Sequence, residues 1–105
     1  MKLKLIALSL TALLLAVGAA QAQDPQALLQ KHNCYICHAN NEAGAGPTFV
    51  DIAEKYKGNP KAAANLRAVV KKGKHGSGPW HMPPSPEVPE ADAEKMVRYI
   101  LSLQP

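Results

Sequence analysis

Cys34, Tyr35, Ile36, Cys37 and His38 are the five consecutive residues whose types and spacing suggest chemistry. Two thiols this close together can add across two vinyl groups on one edge of a porphyrin. The residue after the second thiol then lies over the metal, where an imidazole supplies a ligand nitrogen. The stretch therefore reads as covalent haem c attachment, with Cys34 and Cys37 forming the thioethers and His38 the proximal iron ligand. Other uses of a thiol pair fit less well. A zinc site made only of cysteines needs four, and the chain has two. A mixed site would draw on His32, His38, His75 or His81, whose spacing is not that of a zinc finger. A redox dithiol normally sits in a strand-rich βαβ setting, and no such pattern is present.

A second ligand is sought among soft donors. Residues 73–89 contain three glycines and five prolines, a density that neither a helix nor a central strand tolerates. An ordered extended loop is expected, with Trp80, His81, Met82, Pro83 and Pro84 at its centre. Of the three methionines, Met1 opens the chain and Met96 falls in a helical pattern with Ala93, Val97 and Ile100, which makes it a core residue. That leaves Met82, 44 residues beyond His38 and stiffened by the two prolines that follow. His81 is the competing ligand, and an open sixth position is the third possibility. Neighbours on an extended segment point to opposite sides, so His81 and Met82 do not both face the iron.

With both axial positions filled there is no place for a substrate, and the chemistry is single-electron transfer rather than catalysis. The alternative is a haem protein with an open or displaceable sixth position, acting as an enzyme subunit or a gas or redox sensor. A dithiol protein without haem is a further rival. His32 reads as a surface residue of the helix before the motif, since His38 already holds the enforced position. A carbonyl in the Gly- and Ala-rich stretch 39–48 is expected to accept the other ring N–H of His38 and so fix its tautomer.

Four helices are expected to position these groups. The first starts at Asp24-Pro25, a capping residue followed by the imino acid suited to a first turn, and runs on to about Asn33. The second, residues 48–57, has Phe49, Ile52, Ala53 and Tyr56 at helical spacing, Thr48 as cap and Gly58 as stop. The third starts at Asn59-Pro60 and ends at Gly73, with Ala62, Leu66, Val69 and Val70 facing inward. The last spans about residues 90–103. It has Glu90, Asp92 and Glu94 at its positive end and an apolar face of Ala93, Met96, Val97, Ile100 and Leu101.

The chain has 105 residues, enough for one domain. Residues 1–22 read as a cleaved secretory signal. Lys2 and Lys4 precede an apolar run over residues 5–17, and Ala20-Gln21-Ala22 forms a cleavage site. The run is shorter than the ~20 apolar residues of a spanning helix, which argues against a retained anchor. The mature domain, residues 23–105, is then exported, and haem joined to reduced thiols after export points to the periplasm. Losing Lys2 and Lys4 lowers the formal charge from +4 to +2. Nucleic-acid binding is not indicated. The remaining 83 of the 105 residues are marginal for a self-sufficient core, so the chain without haem is expected to be largely unfolded.

Taken together, the Asp24-Pro25 start, Cys34 to His38, Gly46-Pro47, Met82-Pro83-Pro84 and the helix end Ile100-Leu101-Ser102 resemble the small class I bacterial cytochromes c of the c-551/c-552 (c8) group. The resemblance covers about residues 24–104. It implies an all-α class I cytochrome c fold, with short helices wrapped around one haem. It also implies His38 and Met82 as axial ligands and the Pro47 carbonyl as the acceptor for His38. The group usually carries a tryptophan several residues before the ligand methionine, bonded to a haem propionate. Here the only tryptophan, Trp80, stands two residues before Met82, so a haem contact is expected of it without that role. The implied partners are periplasmic or membrane-bound redox proteins. A cytochrome bc1 complex is the implied donor, and a terminal oxidase, nitrite reductase, peroxidase or reaction centre the acceptor. No small-molecule substrate is implied, and a monomer is expected. The lysine groups Lys71, Lys72, Lys74 and Lys55, Lys57, Lys61 are either ordinary solvated helix ends or a docking face.

Overall fold

The computed structural model describes residues 23–105, apart from Ser77. The expected signal segment, residues 1–22, lies outside the described residues.

Asp24 and Pro25 open helix α1, Pro25–Lys31, with the Asp24 carboxylate accepting from the Gln26 N–H at 3.1 Å. The helix ends at Lys31 rather than reaching Asn33. Asn33 turns left-handed at φ 63° and leads into a single 3-10 turn, Cys34–Ile36. An asparagine tolerates that conformation where most residues do not. The change of direction separates α1 from the motif, so Cys34 to His38 sit on a turn of their own.

Thr48 caps helix α2, Phe49–Lys55, by accepting from the Asp51 N–H at 3.0 Å. Helix α3, Ala62–Lys72, begins two residues later than Asn59-Pro60 suggests. The Asn59 carboxamide is spent on the Lys61 N–H at 2.9 Å, a local turn that delays the helix. Helix α4, Glu90–Ser102, packs on α1, α2 and α3 in turn. At ~1.5 Å per residue it is about 20 Å long, long enough to serve all three.

Residues 73–89 are not wholly irregular. Strands β1, Lys74–His75, and β2, His81–Met82, form an antiparallel pair in which Lys74 faces Met82 and His75 faces His81. The ladder has only these two rungs, and Pro79, Pro83, Pro84, Pro86 and Pro89 all fall outside it. Proline density therefore limits the pairing without preventing it.

The core is Leu28 and Leu29 of α1, Phe49 of α2, Val88, and Ala93, Met96 and Ile100 of α4. Burying a Val, Leu, Ile, Phe or Met side chain is worth ~1.5–3 kcal/mol; six of these seven residues are of that kind, and Val50, Leu66 and Val97 are buried as well. Ion pairs brace its edge. Glu94 takes Arg67 from α3 and Arg98 from its own helix, each at 2.5 Å, and Lys71 reaches Glu90 at 3.5 Å. His32 is not the surface residue expected. Its side chain is 10% exposed, and it meets Asp92 of α4 at 3.0 Å. No helix among the described residues is long and apolar enough to cross a membrane.

Candidate haem site

The 3-10 turn closes on itself around the motif. The carbonyl of Cys34 accepts from the N–H groups of Cys37, at 3.3 Å, and His38, at 3.0 Å. The carbonyl of Cys37 accepts from Gly46 at 2.7 Å, which folds the loop 39–48 back under the motif. Cys34 is half-buried, and desolvation pushes its thiol pKa up, partly offset by a backbone hydrogen bond. Cys37 is exposed.

Three contacts set the His38 ring. Its Nδ1–H donates to the Pro47 carbonyl at 2.7 Å. A carbonyl only accepts, so the proton belongs on Nδ1 and the lone pair on Nε2. The Phe49 ring stacks on it, with centroids 5.1 Å apart and planes 18° from parallel. Gly46 closes the third side. A β-carbon there would stand 2.5 Å from His38 Cε1 and 2.8 Å from Nδ1, so no larger residue fits without moving the ring.

Behind the ring lies a small, partly open apolar cavity. Its walls come from all four helices and from β2. They include Leu29, Cys34, Phe49, Leu66, Val70 and Ile100, together with His38 and Met82. Two donors of different softness thus share one cavity, an imidazole nitrogen and a thioether sulfur. Met82 is half-buried, whereas its neighbour His81 is exposed and pairs with His75. The alternation of the short strand turns one residue in and the other out.

The loop carrying Met82 is held by backbone rather than side chains. Ser85 donates to the Val70 carbonyl of α3 at 2.9 Å. Gly73, at φ +75°, brings its Cα so close that a β-carbon would meet the Met82 carbonyl at 2.5 Å and the Pro84 nitrogen at 2.9 Å. Trp80 is not brought to the cavity; it is 66% exposed and does not line it.

These residues fit a haem. The wall is apolar, as a flat macrocycle requires, and one thiol of the attachment pair faces it. The two candidate axial donors also line it, and the imidazole carries the tautomer that leaves Nε2 free to bind a metal.

Two contributions escaped the sequence reading. Phe49 reads there only as a core position, and its stacking on His38 carries no separate signal. The second is Tyr99, whose hydroxyl accepts from Gln26 Nε2 at 2.6 Å and Asn40 Nδ2 at 3.0 Å. It ties α1 and the loop after the motif to α4. Those partners are 73 and 59 residues away, beyond any local pattern.

Comparison with known proteins points the same way. A family model described as cytochrome C oxidase, cbb3-type, subunit III matches residues 20–100. Cytochrome c-551 of Pseudomonas aeruginosa is 37% identical over 99 residues, covering 93% of each chain. The crystal structure of Nitrosomonas europaea cytochrome c552 superposes with a TM-score of 0.71 at 38% identity, covering 75% of this chain and 99% of that one. A class 1 cytochrome from Sideroxydans lithotrophicus gives 0.65 at 26% identity, covering 74% and 90%.

Proposed function

The chain belongs to the cytochrome c family, among the small class I proteins of the c-551/c-552 kind, and from that premise we propose that it is an exported electron carrier with one covalent haem c. The observation that carries the proposal is the shared cavity: His38 and Met82 both line it, with Cys34 in the same wall. Cys34 and Cys37 are the residues that hold the haem, and His38 and Met82 those that ligate its iron. When bound, the haem supplies a single iron that cycles between the ferrous and ferric states, at a potential raised by Met/His ligation.

The chain's own residues prepare that chemistry. Pro47 keeps the proton on His38 Nδ1, which leaves the Nε2 lone pair free for a metal. Phe49 and Gly46 prevent the ring from turning. The hairpin keeps Met82 inward and His81 outward, and the cavity wall is apolar. With both axial donors in place no reacting molecule has access, so the protein passes electrons without transforming a substrate.

The proposed setting is the periplasm, after removal of residues 1–22. Donor and acceptor are redox proteins in or at the membrane, of the cytochrome bc1 and terminal oxidase, nitrite reductase, peroxidase or reaction-centre classes. Lys72 and Lys74 are exposed beside the Met82 hairpin, whereas Lys71 is partly engaged by Glu90. An acidic partner steered by these charges should react more slowly as salt rises. Film voltammetry of the matured protein tests the function. A reversible one-electron couple, unchanged by oxygen, peroxide or nitrite, is expected. A catalytic current with any of them would contradict an electron carrier.

A further inference from the structure

Two of the four histidines are absorbed by the fold. His32 meets Asp92, and His38 meets Pro47. The other two, His75 and His81, face each other across the two-stranded hairpin, with ring centroids 5.9 Å apart and planes tilted by 38°. Both are exposed, and neither has a hydrogen-bond partner among the described residues. We propose that His75 and His81 form a surface site for a divalent transition-metal ion of the zinc, copper or nickel class, which clips β1 to β2.

Imidazole suits these metals, whereas magnesium and calcium prefer oxygen ligands. An ion ~2.0–2.1 Å from each ligating nitrogen fits between rings at this separation after a small rotation. Direct opposition in an antiparallel pair fixes the two Cβ atoms ~4.5–5.5 Å apart, so little side-chain freedom is lost on binding. Water completes the coordination, because no cluster of three or more His, Cys, Asp or Glu residues is present among those described. Such a site is therefore exchangeable rather than structural. Lys74, the cationic chain neighbour of His75, faces Met82 on the other rung.

The site matters because β2 also carries Met82. Joining the two strands opposes the opening of the segment that holds the sulfur in the cavity. Metal binding itself is independent of how the iron is ligated; this coupling rests on Met82 being its sixth ligand.

Calorimetric titration of the oxidised holo-protein with Zn2+ tests the site. One saturable ion per chain is expected, lost in both His75→Ala and His81→Ala while the haem spectrum is retained. Uptake that persists in either variant, or one ion shared by two chains, would overturn it. Cyanide binding tests the coupling. Zn2+ should slow it several-fold in the natural protein and leave it unchanged in His75→Ala. An equal rate with and without Zn2+ in the natural protein overturns the clip, even where the calorimetry stands.

Discussion

The two walls of the cavity are built on different principles. On the His38 wall, the donor, the attachment thiols, the accepting carbonyl and the stacking ring all fall within residues 34–49. The Met82 wall has no such concentration. Its donor stands on a two-residue strand paired with β1, with a close backbone approach of Gly73 and a hydrogen bond from Ser85 to α3. One wall is gathered in one stretch of sequence, the other rests on a two-rung hairpin distant from it in the chain. Substitutions on the two walls should therefore fail differently.

The largest effect is expected from His38→Ala. Without the proximal nitrogen, little coloured protein should accumulate in the periplasm, as measured by haem staining against total chain. An abundant low-spin haem protein from this variant would make the two walls equivalent and break the contrast.

A paired substitution sharpens it. In Gly46→Ala the new methyl meets the His38 ring, and in Gly73→Ala it meets the Met82–Pro84 backbone. The second site also has φ +75°, and strain of that kind costs ~1–3 kcal/mol. Both variants should melt at lower temperature. Only Gly73→Ala should bind cyanide faster, because only that change loosens the sulfur.

Tyr99→Phe comes next. It removes the shared acceptor of Gln26 and Asn40. Asn40 Oδ1 is already buried without a partner, so the variant leaves both polar atoms of that amide unpaired. A loss of ~1–3 kcal/mol is expected by chemical denaturation, with the absorption spectrum unchanged.

The smallest effect is expected at Glu94, whose carboxyl is held below its usual pKa, first by the hydrogen bond from Arg98 and then by the charge of Arg67. A depressed folded pKa stabilises above the ordinary carboxylate range and loses that contribution as pH falls through the folded value. Glu94→Gln should lower the melting temperature slightly at pH 7, less at high salt, and not at all in strong acid.

Much of this was legible in the sequence, and what was not has a physical reason. Caps at Asp24 and Thr48 and the periodicity of α4 are local signals, and they located those helices well. The attachment motif is local too, whereas the sequence offered only some carbonyl of residues 39–48 as the acceptor for His38, and the choice of Pro47 came from the resemblance. One boundary shifted where the Asn33 backbone took a left-handed turn, the other where the Asn59 carboxamide oxygen accepted from the Lys61 N–H. The strand pair around Met82 was hidden because four paired residues leave no periodicity to read. His32 looked like a surface residue because its partner, Asp92, lies 60 positions away. Trp80, two residues before Met82, is exposed and lies outside the residues that line the cavity.

The most direct test of the two-wall account is the far-red absorption of the oxidised, matured protein, where sulfur-to-iron charge transfer gives a weak band. The band should be present in the natural protein and absent in Met82→Ala, with the haem still covalently attached and the helices still formed. A band that survives the substitution, or one missing from the natural protein, would mean that Met82 does not ligate the iron and that the second wall holds something else.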